Sequence, residues 1–205
     1  MRAEFPELWF IRHGETDWNN DRRIQGQTDI PLNETGHKQA SAIARKLTDL
    51  HDNLNGFDLH VSPLERPRQT MQYVADSFEL DWQHIKIDER LKEINFGELE
   101  GSTWPELNAR GIDPEKDPAG YHSFRPANGE SYADATVRVG SWLESLTRPT
   151  IAVAHGGISR IVRGIMLDLP IAEIPAQRNP QWKFYRVKDG EIEWFSAKAG
   201  LQERS

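Results

Sequence analysis

The chain has 205 residues, 37% hydrophobic and 28% charged, with no cysteine and a formal net charge of −7. That length suits one folded domain spanning 1–205 with a sizeable core, and the absence of thiols excludes disulfides, cysteine nucleophiles and cysteine-ligated metals. The acidic balance, without any large Lys/Arg cluster, argues against nucleic acid as a partner, and no apolar run reaches membrane-spanning length. Met1 to Pro6 lacks the apolar core of a signal peptide, so a cytoplasmic location away from membranes is expected.

Residues 8–11 (Leu-Trp-Phe-Ile) form a short apolar run typical of a buried strand. It ends abruptly in Arg12-His13-Gly14-Glu15, and a strand that delivers Arg and His at its C-terminal end places both at the sheet rim where ligands bind. Gly26 and Pro31-Leu32-Asn33 mark a loop. The sequon-like Asn33-Glu34-Thr35 is read as chance, since it matters only in a secreted chain. A helix is predicted from Glu34, with Ala40, Ile43, Ala44, Leu47 and Leu50 on its apolar face. A second strand over 57–61 runs into Ser62-Pro63-Leu64-Glu65, which has the form of a capping box with Pro at the first helical position. The helix that follows carries Met71, Val74 and Phe78 inward.

Residues 85–87 suit an edge strand, and 88–101 read as irregular. The stretch 112–129 holds three Pro and two Gly; it reads as a long loop, a candidate lid over a binding site. A helix is then predicted with Tyr132, Ala135, Val139, Trp142, Leu143 and Leu146 on one face. Residues 150–154 are apolar enough for a central strand, and His155-Gly156-Gly157 opens a helix bearing Ile158, Ile161, Val162, Ile165, Met166 and Leu169. Two last strands flank the turn signal Asp189-Gly190. Strands alternating with helices predict an α/β fold: a mostly parallel central sheet with helices on both faces and an antiparallel hairpin at one edge. Arg12-His13, Ser62 to Arg66, Glu93 and His155 share one pattern, a polar residue at or after a strand end, and a parallel sheet would bring them to one edge.

Arg12-His13-Gly14-Glu15-Thr16, with the later Arg66, Glu93 and Ala154-His155-Gly156-Gly157, resembles the histidine phosphatase superfamily, which includes the cofactor-dependent phosphoglycerate mutases. The likeness extends at intervals over almost the whole chain. It implies a phosphoglycerate mutase-like fold, His13 as a nucleophile that becomes phosphohistidine, and Arg12 and Arg66 as a phosphate clamp. Planar, permanently charged guanidiniums suit that task. It further implies a second, protonated histidine at His155 and a general acid at Glu93, with Glu98 and Glu100 as rivals. Asn19, Gln25, Gly26 and Gly156 fall where relatives contact phosphate or substrate. Pro67 departs from the alanine common in relatives, which places the start of the regular helix near Arg66.

No metal or cofactor is expected. Two guanidiniums repel a divalent ion by roughly 4 kcal/mol for each unit-charge pair at 4 Å and an effective dielectric near 20, and attract a phosphoryl dianion by the same arithmetic. The acidic surface does not oppose such a substrate, because exposed charges are screened beyond about 8 Å. The expected partner is a small phosphorylated substrate; oligomeric state is not legible. Three functions compete: a phosphomonoesterase, a bisphosphoglycerate-dependent mutase, and a phosphate-ligand binding protein without turnover. Mutases that resemble this chain carry a longer basic insertion after the position of Glu93, with a tandem Arg pair. Between Gly101 and Gly129 this chain has only Arg110, Lys116 and Arg125. Phe96 replaces a tyrosine common in mutases, and Asn128-Gly129-Glu130-Ser131 resembles the phosphatase branch. The phosphatase reading leads.

Overall fold

A computed structural model describes residues 5–113 and 116–197. The reading of Met1 to Pro6 lies outside them except for Phe5 and Pro6, as do Pro114 and Glu115 of the predicted loop. Strands β1 (Leu8–Arg12), β2 (Asp58–Val61), β3 (Ile85–Ile87), β4 (Thr150–Ala154), β5 (Lys183–Lys188) and β6 (Glu191–Ser196) form one sheet in the order β3-β2-β4-β1-β5-β6. The first four of that order run parallel, while β5 lies antiparallel to β1 and β6 antiparallel to β5. The architecture is the expected one, including the edge hairpin.

Strand β4 is buried at every position because it has a strand on either side and helices on both faces. Side chains alternate across a sheet, and in β1 that alternation decides the layout of the molecule. Leu8 and Phe10 face one core, built with α6 (Tyr132–Glu144) and α7 (Gly156–Met166). Trp9 and Ile11 face the other, built with α2 (Glu34–Thr48) and α3 (Glu65–Ser77). The same parity sends Arg12 toward α7 and His13 toward α3. On the first face the Trp142 indole N–H donates to His60 Nδ1 at 2.9 Å, tying α6 to β2 through a buried polar pair.

Several local readings change. The N-cap of helix α3 is Leu64, whose own side chain makes no capping bond. Ser62 makes its short bond to His155 instead, and the loop residue Asp29 accepts from the Glu65 N–H at 2.8 Å. Pro63 is therefore outside the helix and Pro67 inside its first turn, where a missing N–H costs nothing because the first four have no intrahelical partner. Leu50 lies beyond the end of α2 and is exposed. Three short helices stand where none was predicted: α1 (Asp17–Asn20), α4 (Trp104–Ala109) and α5 (Pro118–Ser123). The last occupies the predicted loop 112–129, started by the Asp117 side chain, which accepts from Gly120 N.

The turn after β1 is fixed by close backbone contact. A Cβ on Gly36 would collide with the Glu15 carbonyl, and one on Gly14 with the Gly36 carbonyl. Both positions therefore require glycine for approach. Gly36→Ala is expected to destabilise the fold by about 1–3 kcal/mol and to displace the His13 turn. A denaturant titration with the same m-value and a midpoint unchanged from wild type would refute this.

Candidate active site

The C-terminal ends of β1, β2 and β4 deliver His13, Ser62 and His155 to one rim of the sheet. His13 is almost fully buried. Its Nδ1 lies 2.7 Å from the Gly14 carbonyl, which only an N–H can satisfy, so the other nitrogen, Nε2, carries the lone pair. Arg66 Nε–H donates to that lone pair at 3.3 Å. Burial, then Arg66 and Arg12, hold the imidazole well below its ordinary pKa of 6.5 and so in its neutral form at neutral pH. The main-chain N–H of His13 donates to Ala154 O at 2.9 Å, and that of Gly14 to Thr70 Oγ1 at 3.1 Å.

Arg66 comes from the first turn of α3 and is fully buried. Its Nη1 and Nη2 donate to the carbonyls of Thr28 and Gly26 at 2.9 and 2.7 Å, and Asp29 is 4.0 Å away. Gly26 takes a φ of +53°, which aims its carbonyl at this guanidinium. Arg12 donates through Nη1 to Asn179 O at 2.6 Å, and its buried Nε has no partner among the described residues. Burial and the neighbouring Arg160 lower Arg12 to about 10, still charged at neutral pH. A Cβ on Gly156 would stand 3.3 Å from Arg12 Nε.

His155 is fully buried, its ring centroid 5.3 Å from that of His13. Nε2 bonds Ser62 Oγ at 2.7 Å and Nδ1 has no partner among the described residues. Burial, Arg66, His13 and Arg12 push its pKa well down. The protein alone thus favours neutral His155, against the protonated form that the family resemblance implies. Only an anion held between the two rings reverses that field.

Glu93 is fixed at both oxygens: Oε1 accepts from Ile94 N and Oε2 from Gly157 N, each at 3.0 Å. The second bond seats the carboxylate on the N-terminal turn of α7, and a Cβ on Gly157 would come within 2.5 Å of Oε1. Arg138 holds the segment from behind, donating to Arg90 O and Lys92 O at 2.6 and 2.9 Å and pairing with Glu130 at 2.5 Å. The two rivals are placed elsewhere. Glu98 is exposed and accepts from Asn128. Glu100 binds the N–H groups of Gln27, Thr28 and Phe96 and the Thr28 hydroxyl, holding the 25–28 loop in place.

A cleft of about 620 Å³ joins these groups. Arg12, His13, Asn19, Gln25, Gly26, Arg66, Glu93 and Gly156 line it, so eight of the nine predicted residues meet there, and the ninth, the buried His155, stands with its ring beside that of His13. Asn19 Oδ1 accepts from Thr16 and Gln181, while the buried Gln25 Oε1 has no partner among the described residues. Of Tyr121, His122, Phe124 and Arg125 in the candidate lid 112–129, Tyr121 alone lines the cleft: Arg125 pairs outward with Asp134, and Phe124 lies on a separate small depression. Sequence reasoning missed Arg160, one turn into α7, which lines the cleft and donates to Gln177 O at 2.8 Å and to the Tyr132 hydroxyl at 3.5 Å. Its i+4 offset from Gly156 was the available signal. Among the described residues no three His, Asp or Glu converge to hold a metal ion, and no helix is long and apolar enough to cross a membrane.

Residues 8–197 match the model of the histidine phosphatase superfamily (branch 1). The chain belongs to that family and is an enzyme of it. It is 32% identical over 200 residues to a probable phosphoglycerate mutase GpmB of Shigella dysenteriae, covering 93% of this chain and 88% of that one. A metal-independent phosphoserine phosphatase of Arabidopsis thaliana is 33% identical over 175 residues, 79% of this chain and 69% of its own. A mycobacterial glucosyl-3-phosphoglycerate phosphatase solved with VO3 superposes with a TM-score of 0.75 at 28% identity, covering 93% of this chain and 96% of its own.

The two buried histidines make stability depend on pH. Their folded pKa values lie below the unfolded 6.5, so in acid the unfolded chain binds protons that the native one refuses, and stability is lost as pH falls through 6.5 and below. His155→Gln, which can still bond Ser62, should flatten that dependence between 6.5 and about 5 by up to about 1.4 kcal/mol per pH unit. Urea unfolding across this range, with an unchanged slope, would contradict it.

Proposed function

We propose that the protein hydrolyses a small phosphomonoester through a phosphohistidine on His13. The observation that carries this reading is the His13 ring: Nδ1 is held by the Gly14 carbonyl, and Nε2 meets Arg66 Nε at 3.3 Å in a cleft shared with Arg12 and Glu93. Arg12 and Arg66 hold the phosphoryl oxygens, with Asn19, Gln25, Gly26 and Gly156 completing the cradle. Nε2 attacks phosphorus, the ester P–O bond breaks, and Glu93 in its acid form gives its proton to the departing alkoxide. The Glu93 carboxylate then takes a proton from water, whose oxygen attacks phosphorus; the P–N bond breaks and inorganic phosphate leaves. His155 gains its proton as the dianion arrives and stabilises the transferring group. The guanidiniums supply the charge stabilisation, and the scheme uses no metal or cofactor.

Hydrolysis is favoured over mutase chemistry by the segment 101–129. It brings Trp104, Asn108, Asp113 and Tyr121 to the cleft and, among the described residues, no cation, so the tandem Arg pair that mutases resembling this chain carry in this segment is missing. With α5 it forms a wall against the alcohol portion of the substrate. The mutase reading keeps the support of the Shigella relative, and assay of phosphate release against 2-phosphoglycerate formation from 3-phosphoglycerate separates the two.

His13→Ala should abolish turnover and the acid-labile, alkali-stable phosphoenzyme while the fold persists; phosphoenzyme in that variant would move the nucleophile elsewhere. Glu93→Gln should slow esters with poor leaving groups by ~10²–10⁴-fold and aryl phosphates far less. Equal losses on both ester types would remove Glu93 from the role. Loss of activity on chelation, restored by a divalent ion, would defeat the metal-free scheme.

A further inference from the structure

Six guanidiniums line the cleft, those of Arg12, Arg22, Arg23, Arg66, Arg160 and Arg178, against the carboxylates of Glu93 and Asp113. A phosphoryl dianion bound by Arg12 and Arg66, together with those two carboxylates, still leaves an excess of two positive charges. Arg160 is engaged with Tyr132 and Gln177, and Arg23 with Gly101 O and Asp21. Arg22 and Arg178 are exposed, and no hydrogen bond or ion pair occupies either side chain among the described residues.

Their backbones are nevertheless anchored. Arg22 takes a φ of +58°, in the left-handed region that favours glycine, its N–H bonded to Asn19 O at 3.1 Å at the end of α1. Arg178 O accepts from Arg163 at 3.1 Å, and the next residue, Asn179, holds Arg12 through its own carbonyl. One cation is thus fixed to the loop that leads to Gln25 and Gly26, the other to the segment that seats Arg12. In a chain of net charge −7, this local concentration of positive charge focuses anions into the cleft.

We propose that Arg22 and Arg178 form a second anion subsite, and that the alcohol portion of the natural substrate carries a carboxylate or a second phosphate. The subsite rests on the phosphomonoesterase reading for its place beside the phosphoryl site, and it deepens that reading by excluding phosphate esters of neutral alcohols as preferred substrates. Guanidinium forks match both anions bidentately, so the two sources share one chemistry.

The test compares pairs that differ in the second anion alone or nearly so: 3-phosphoglycerate against glycerol 3-phosphate, and fructose 1,6-bisphosphate against fructose 6-phosphate. Binding is measured by calorimetry in the His13→Ala protein, and kcat/KM in wild type. The member whose alcohol portion carries the second anion should be favoured at least about tenfold in at least one pair, and the arm that responds identifies the anion. Arg22→Gln with Arg178→Gln should bring the ratio close to one, and added salt should lower it in the parent. Ratios near one in both pairs, or a preference that survives both substitutions, would overturn the subsite. Hydrolysis of para-nitrophenyl phosphate, which has no second anion, tests the esterase reading separately. If that ester is not hydrolysed while the binding ratio holds, the subsite stands and the hydrolase reading falls.

Discussion

The site depends on a positive charge held out of water, its hydrogen bonds all made to neutral groups and one carboxylate, Asp29, only grazing it at 4.0 Å. Arg66 is fully buried, and its Nε, Nη1 and Nη2 donate to a ring nitrogen and two carbonyls. Burying a charge is costly unless its donors are satisfied, and here the satisfaction comes from neutral dipoles. That choice leaves most of the charge available to an incoming anion, since Asp29 stands at the far limit of ion pairing. It also pins the 26–28 loop to α3, and it forces His13 to present a lone pair, because the nitrogen facing a guanidinium N–H can only accept.

Charge is graded through the cleft. At its base, neutral imidazoles and buried arginines create a field that only an anion relieves. Along one wall Glu93 is held by the Gly157 N–H in the first turn of α7 and by the Ile94 N–H beside it. The positions of both groups follow from tight backbone approaches at Gly14, Gly36 and Gly157, so the geometry is set by main chain rather than by flexible side chains. Glu100 and Arg138 serve the same end from outside the cleft. One binds the amides of the 25–28 loop, the other the carbonyls before Glu93.

Strands and long helices were legible because their periodicities are strong: the apolar run at 150–154 and the i, i+3, i+4 faces of α2, α6 and α7 admit few other readings. The strand-end motifs were legible for the same reason, since parallel strands bring their C-terminal ends together. Ser62 misled because a serine before Pro-x-Glu has the form of a cap. Its hydroxyl bonds a histidine 93 residues away, a contact no local pattern encodes. Thr103-Trp104-Pro105-Glu106 did start a helix, the Glu106 carboxylate accepting from the Thr103 N–H and hydroxyl, and went unread inside a polar stretch. The direction of Arg125 was not legible, because composition assigns a residue to a loop without saying which way it faces. It pairs with Asp134 on the outer surface.

The strand order has a consequence for the nascent chain. Within the sheet β1 touches only β4 and β5, both of which are synthesised after residue 149. Until then the first strand has no sheet partner, and β2 can pair only with β3. Sheet pairing across such a sequence separation closes slowly, so the hydrophobic residues of β1 wait through most of translation for the strand that buries them. Once β4 emerges it joins β1 and β2 at a single stroke and brings His155 to both His13 and Ser62. The two cores still wait for Phe184, Tyr185 and Val187 of β5, and Arg12 for the Asn179 carbonyl that holds it, so the centre is assembled only when the C-terminal quarter of the chain has been made.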